Sequence, residues 1–408
     1  MNLDRLIVVA ATATALSASF AHAGEPIRSA TKLTFGDATT LFVADWQGAR
    51  IHALSIPKPS SVAGKPFNLR DVQGPIAKAL HVDPSSLRFE DMAVQPGAEL
   101  AYVSLSVKHG KANATPALVA IDADGRVKVI NLKTVAAKSV AITDAPAADL
   151  KFWRDIPAQS LTVTGMSFHA NKLYVAGLSN RAFASTLRVY DVPFNGRTQV
   201  TTVEMYHPVH NQVETRAPIR TMTILPIDGV PTMIAAFTCT PLVAIPLSDL
   251  VDGAHIAAKT ISELGWGSEP IDIVTFNAGG ADYALLVNTS RAADLIPLSA
   301  IAEGVAKPGL RTPIKWPTEP LAGVKAIMAP LSAVAHIDNL NKDLLVALRR
   351  DDASGKMQLV SIPKGAYLRV SDFVNEYDFA DFQYRPDDGF HEYHKLFHAL
   401  EGYPELVR

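Results

Sequence analysis

One short phrase recurs six times along this chain: an apolar strand, a small polar turn, and a second apolar strand that usually ends in Ile-Pro or Val-Pro. The copies are LFVADWQGARIHALSIP (41–57), AYVSLSV…PALVAID (101–122), LYVAGLSNRAFASTLRVYDVP (173–193), MIAAFTCTPLVAIP (233–246), ALLVNTSRAADLIP (284–297) and LLVALRRDDASGKMQLVSIP (344–363). Self-similarity at this scale is the mark of a repeat architecture, in which one supersecondary unit recurs and buries its face against its neighbours.

The flanks of each copy complete the unit. Another strand-like run precedes it: 31–37, 89–94, 162–169, 219–225, 271–276 and 324–331. The turns between run and hairpin carry Gly, Asp or Asn, which tolerate positive φ or bond their own backbone. The sixth of these turns is HIDNLNKD (336–343). A more polar fourth strand follows some copies, at 126–132, 198–206 and 309–316. The prolines at 57, 193, 246, 297 and 363 suit strand ends, because proline cannot donate to a central ladder. Four antiparallel strands per repeat of about 50 to 70 residues make the blade of a β-propeller. The expected fold is all-β, a propeller of six blades over 24–370, with a seventh able to hide in 133–160. A repeated two-sheet sandwich fits less well, because the period is too regular.

Three stretches depart from the pattern. Residues 72–82 read as a short helix, and 133–160 as an insertion. The tail 371–408 is acidic and aromatic, and its end has amphipathic spacing at Tyr393, Phe397 and Leu400. So many aromatics imply a tail docked on the propeller. Its His391, His394 and His398 read as surface groups of a docking helix.

The N-terminus has the look of a secretory leader. Arg5 gives a thin positive region, Ile7–Ala18 an apolar core, and Ala21-His22-Ala23 a small-x-small cleavage site. The apolar run is about a dozen residues, short of the roughly 20 that span a bilayer. Residues 1–23 are therefore expected to be a signal peptide, and the protein periplasmic or secreted. The single Cys239 excludes an intramolecular disulfide. A net charge of −2 with 19% charged residues gives no basic excess for nucleic acid.

On these hairpins the chain resembles the exported bacterial β-propellers with degenerate repeats, the NHL-like and lactonase-like type of six to seven blades. That fold hosts hydrolases, dehydrogenase subunits, metal enzymes and interaction scaffolds, so it does not choose a function.

Propeller geometry puts the loops between second and third strands on the same face as the approaches to each first strand. Charged side chains expected there are Glu90, Asp91, Arg181, Arg216, Arg220, Asp272, Arg291 and Lys325. They are candidates for binding an anionic or polar ligand, since Arg offers a planar fork to carboxylate or phosphate, or for pairing among themselves. Period two would set Arg216 and Arg220 on one face, with Arg220 beside Cys239. The densest polar stretch, 205–221, holds His207, His210 and Glu214. With Cys239 they make a ligand set suited to copper or zinc, against the plainer reading of hydrogen-bonding histidines and a buried thiol. No GxSxG, HExxH, CxxCH or phosphate-binding loop is present. The expected role is a binding or scaffold module that meets a protein partner or small ligand at the channel mouth. The alternative is a metal-dependent enzyme or accessory oxidoreductase subunit working at 207–220.

Overall fold

In the computed structural model, residues 25–58, 65–110, 114–265, 267–315, 319, 321–367, 379, 381 and 383 are described. The leader and nearly all of the tail lie outside them. Each repeated phrase forms the middle hairpin of a four-stranded antiparallel sheet. The first unit is Leu33–Asp37, Thr40–Asp45, Arg50–Ser55 and Ala137–Ala141. The second is Leu87–Val94, Ala101–Val107, Thr115–Ile121 and Val127–Ile130. The third is Gly165–His169, Lys172–Leu178, Ser185–Asp191 and Thr198–His207. The fourth is Ile219–Ile227, Val230–Phe237, Pro241–Pro246 and His255–Glu263. The fifth is Pro270–Ala278, Ala281–Asn288, Ala293–Pro297 and Ile327–Ala329. The sixth is Val334–Asn339, Leu344–Arg350, Met357–Pro363 and the short Asn68–Leu69.

The units pack face to face in a propeller-like ring, with the first strand of each innermost. Six apolar clusters fill the seams between neighbours. Middle strands are buried on both faces, so they read as runs such as Leu41–Ala44 and Met233–Phe237, all below 1% exposed, rather than as alternating patterns.

The order of units around the ring is not the order along the chain. The apolar cluster joining Leu33, Leu41 and Leu54 to Tyr102 and Leu118 sets the second unit against the first. The cluster joining Val103 and Val119 to Val346 and Leu348 sets its other face against the sixth. The first unit's remaining face, with Phe42 and Ile51, packs on Leu173 and Val175 of the third. The ring therefore runs first, third, fourth, fifth, sixth, second. After three strands of the first unit the chain crosses to supply the sixth unit's outer strand, where Leu69 pairs with Leu359. It then builds the whole second unit and returns to supply the first unit's outer strand, pairing Ile51 with Val140. The third and fourth units are joined edge to edge by a parallel pairing of their outer strands, Thr202 to Met205 against His255 to Ala258.

Several expectations need correcting. Residues 324–331 are not the sixth unit's inner strand. Ile327–Ala329 closes the fifth unit instead, and the inner strand is Val334–Asn339, which runs into the stretch expected as a turn. Lys325 therefore does not approach a first strand. Residues 309–315 form no strand, apart from a bridge at Lys315. Part of 133–160 belongs to a blade rather than to an insertion, since 137–141 is a blade strand. Further on, Lys151–Pro157 forms a two-stranded arm. A helix at Gln73–Leu80 matches the expected one, and a second, Leu298–Ala306, had no clear pattern in the sequence.

Candidate functional site

Four of the inner strands break register by one residue at the same place. The shifts fall at Phe89/Asp91, Ile219/Thr221, Pro270/Asp272 and Val334/His336. A bulge kinks a strand and re-aims the side chain beside it. Here it turns Asp91, Thr221, Asp272 and His336 towards the ring axis. His336 Nδ1 lies 2.9 Å from Asp91 Oδ1 and 3.1 Å from Asp272 Oδ2. The same carboxylates stitch neighbouring units together. Asp91 accepts from Leu33 N at 2.7 Å, and Asp272 accepts from Ile337 N at 3.0 Å. Asp338 accepts from Val94 N at 2.8 Å, and Thr221 Oγ1 from Ile273 N at 3.1 Å.

The charges are mutually adjusted. Burial disfavours the imidazolium of His336, but Asp272 and Asp91 more than offset it and hold the pKa up to about 9. Burial likewise pushes the Asp91 carboxyl up, yet Lys32, 3.9 Å away, and His336 keep it below its ordinary value. Burial dominates at Asp338, whose pKa rises to about 7. The axis thus carries a closely paired ion cluster, in which one imidazole nitrogen is shared between two carboxylates.

Above this cluster a cavity of about 660 Å³ opens, walled on one side by the arm at Arg154–Pro157. Its lining is cationic: Lys32, Arg88, Arg154, Arg220 and His336 against Glu90 and Asp155. Arg88 is neutralised by Glu90 at 2.6 Å. Arg220 is not so satisfied. Its Nε is buried without a hydrogen bond, and the nearest carboxylate, Glu269, is 3.8 Å away.

The structure divides the sequence candidates among different places. Glu90, Asp91, Arg220 and Asp272 line the axial cavities. Arg216 does not share a strand face with Arg220, because the strand starts at Ile219 and bulges at Arg220, leaving Arg216 exposed before it. Arg181 lies off the axis, 3.8 Å from Asp144. Arg291 binds Asp294 at 3.0 Å within the fifth unit. Nor does Cys239 stand beside Arg220; it joins His207 and His210 at the outer seam of the third and fourth units.

That seam is the second polar centre. The third unit's outer strand ends at His207, and Gln212–Glu214 folds back on it. Glu214 Oε1 accepts from His207 Nδ1 at 2.9 Å and from His210 Nδ1 at 2.5 Å. Burial raises Glu214, but the two histidines bring it down to about 2. Burial lowers His207, but Cys239, Glu214 and Glu263 together lift it to about 9. Glu263 ends the fourth unit's outer strand, is 1% exposed, and has its pKa raised by burial.

Sequence reasoning missed Lys32, His336, Asp338 and Glu263. His336 and Asp338 sit in AHIDN (335–339), whose polar residues at every second position are a strand signal once the inward face is allowed to be polar.

No protein family matches the sequence, and no curated protein does. Among solved structures, Raptor of Chaetomium thermophilum is similar at 10% identity and a TM-score of 0.29, over 86% of this chain and 25% of that one. A GH43 glycoside hydrolase engineered for endo-xylanase and exo-arabinofuranosidase activity is similar at 14% identity and a TM-score of 0.34, over 68% of this chain and 50% of that one. The chain thus spans a quarter and a half of their lengths, and scores this low bear on neither its fold nor its function.

Proposed function

We propose that this protein is a binding module that holds a small anionic ligand, a carboxylate or phosphate, at the mouth of its central channel. The observation that carries the reading is Arg220, whose buried Nε has no hydrogen-bond partner while its side chain lines a cavity whose charged residues are mostly cationic. Such a guanidinium offers the planar fork that carboxylate and phosphate groups accept. Lys32 and His336 line the same cavity and add positive charge, offset in part by Asp91 and Asp272. The leader-like residues 1–23 favour a periplasmic or secreted setting, and the resemblance to NHL-like or lactonase-like propellers rests on the repeated hairpins alone.

The test is a thermal-shift and calorimetric panel of inorganic phosphate and small mono-, di- and tricarboxylates. At least one probe should bind with a stoichiometry of one. Arg220→Lys keeps the charge and loses the fork, so affinity should fall by more than about tenfold, roughly 1.4 kcal/mol, with the melting temperature little changed. A panel in which no anion binds, or equal affinity in Arg220→Lys, would remove the basis of the reading.

A further inference from the structure

The seam between the third and fourth units holds polar atoms that the channel does not use. Glu214 takes the Nδ1 hydrogens of both His207 and His210. A histidine whose Nδ1–H is held by a carboxylate has Nε2 as the nitrogen left to face a metal, which takes it once its proton is displaced, and this is how metal-binding imidazoles are oriented. His207 Nε2 is buried and without a hydrogen-bond partner. It faces Glu263 Oε2, also buried and unpartnered, at 4.0 Å. Glu263 is held in place by its other oxygen, which accepts from Thr240 Oγ1 and from Gly265 N. Cys239 turns into the same space from a backbone at φ 75°, and its sulfur lies within 4.8 Å of ligand atoms of both histidines.

Two orphaned buried atoms facing each other, beside a thiol and a second imidazole, are costly for an apolar seam to carry unless something satisfies them. We propose that this pocket is a mononuclear transition-metal site. His207, His210 and Cys239 are its ligands, Glu263 completes a four-coordinate set, and Glu214 orients the two imidazoles from outside it. A thiolate with two imidazoles selects a zinc- or copper-class ion over magnesium or calcium, which take oxygen ligands. Zinc-to-nitrogen bonds of about 2.0–2.1 Å and zinc-to-sulfur bonds of about 2.3 Å put tetrahedral ligand atoms about 3.3–3.8 Å apart. The ligand atoms of His207, His210 and Cys239 lie within 4.8 Å of one another, so a contraction of about 1 Å brings these three to that spacing, and the half-exposed His210 side chain can supply it. Glu263 Oε2, 4.0 Å from His207 Nε2, has to close on the other two as well. Binding releases the Cys239 thiol proton and the Nε2 proton of the His207 imidazolium to solvent. The ion would tie the end of the third unit's outer strand to the fourth unit, beside the parallel pairing that joins them.

The experiment uses the full chain without a histidine tag, stripped by chelator and titrated with cobalt(II), then zinc(II) or copper(II). Wild type should take up one equivalent of cobalt with a thiolate-to-metal charge-transfer band. Zinc should bleach that band and raise the melting temperature, and copper(II) should give its own thiolate band if copper is the preferred ion. Cys239→Ser should lose the band, and His210→Ala should weaken binding by more than about tenfold. If Cys239→Ser does not fold, as judged by circular dichroism, the His210→Ala arm decides alone. Absence of any stoichiometric uptake, or undiminished binding in the variant that folds, would overturn the site. Arg220→Lys should leave the cobalt spectrum unchanged, so this result and the channel reading stand or fall separately.

Discussion

Stability should fall as the pH is raised from about 6.5 to about 9, and the axial His336 should carry about 3 kcal/mol of that loss. Its folded pKa is held up to about 9 from 6.5, because Asp272 and Asp91 outweigh the burial that disfavours the imidazolium. A group bound more tightly to its proton in the fold contributes in full below the unfolded pKa and loses that contribution as the pH climbs through the folded one. Each unit is worth about 1.4 kcal/mol, which sets the magnitude. Two other groups titrate nearby. His207 is also raised to about 9 and adds a loss of the same sign. Asp338, raised from 3.8 to about 7, accumulates its penalty below about 7 and is flat above it. The channel's share is therefore isolated by Asp272→Asn, which keeps an acceptor for Ile337 N but removes one of the two charges on His336. Urea midpoints should start lower in Asp272→Asn, fall less with pH, and converge with wild type at the alkaline end. Parallel curves, or an imidazole resonance of His336 titrating at or below 6.5, would refute the reasoning.

Two further perturbations test how the ring is held. Arg188 is 1% exposed and donates to Asp144 Oδ1 at 2.7 Å, Thr162 O at 3.1 Å and Leu178 O at 2.9 Å. Arg188→Leu strands those acceptors and should cost about 3–5 kcal/mol in denaturant unfolding; a loss below about 1 kcal/mol would show that water already reaches them. Asp45 is fully buried and accepts from Arg28 N, Ser29 N, Ser29 Oγ and Gly48 N, which pins the segment before the first strand. Asp45→Ala should cost at least about 2 kcal/mol and expose the Arg28 bond to trypsin, and an unchanged cleavage rate there would count against the anchor.

The hairpins were legible because their strands are buried on both faces, so hydropathy alone marks them. The 205–214 cluster was legible because its ligand-type residues are close in sequence. Cys239 could be placed with it only through the geometry of a ring of sheets. The inner strands were harder. A bulge shifts the phase of the alternation, and the faces turned to the axis are polar, so the His336 strand reads as a turn. The outer strand at 137–141 is short and half-exposed, that at 327–329 has only three residues, and Asn68–Leu69 is two residues long. Strands of that kind take their structure from the sheet edge they complete, and no local pattern records which edge that is. For the same reason nothing in the repeats disclosed the order of units around the ring.

That order decides what sits on the axis. In a ring laid down in chain order, the second unit would stand between the first and the third, and Asp91 would face neither the sixth unit nor its histidine. Because the chain places the second unit between the first and the sixth, Asp91 meets His336 on one side and the backbone of Leu33 on the other. His336 is then held between Asp91 and Asp272, residues 181 positions apart in sequence. A buried imidazolium tolerates its site only with such partners, since its desolvation must be offset by charge and hydrogen bonds. The two crossings that set the order are the outer strand lent to the sixth unit and the outer strand returned to the first. The axial cluster therefore exists only when both crossings are made. The pocket proposed to hold a metal makes no such demand: its residues come from two units consecutive in both chain and ring. The two centres thus depend on different parts of the topology, one on closure of the whole ring and the other on a single seam.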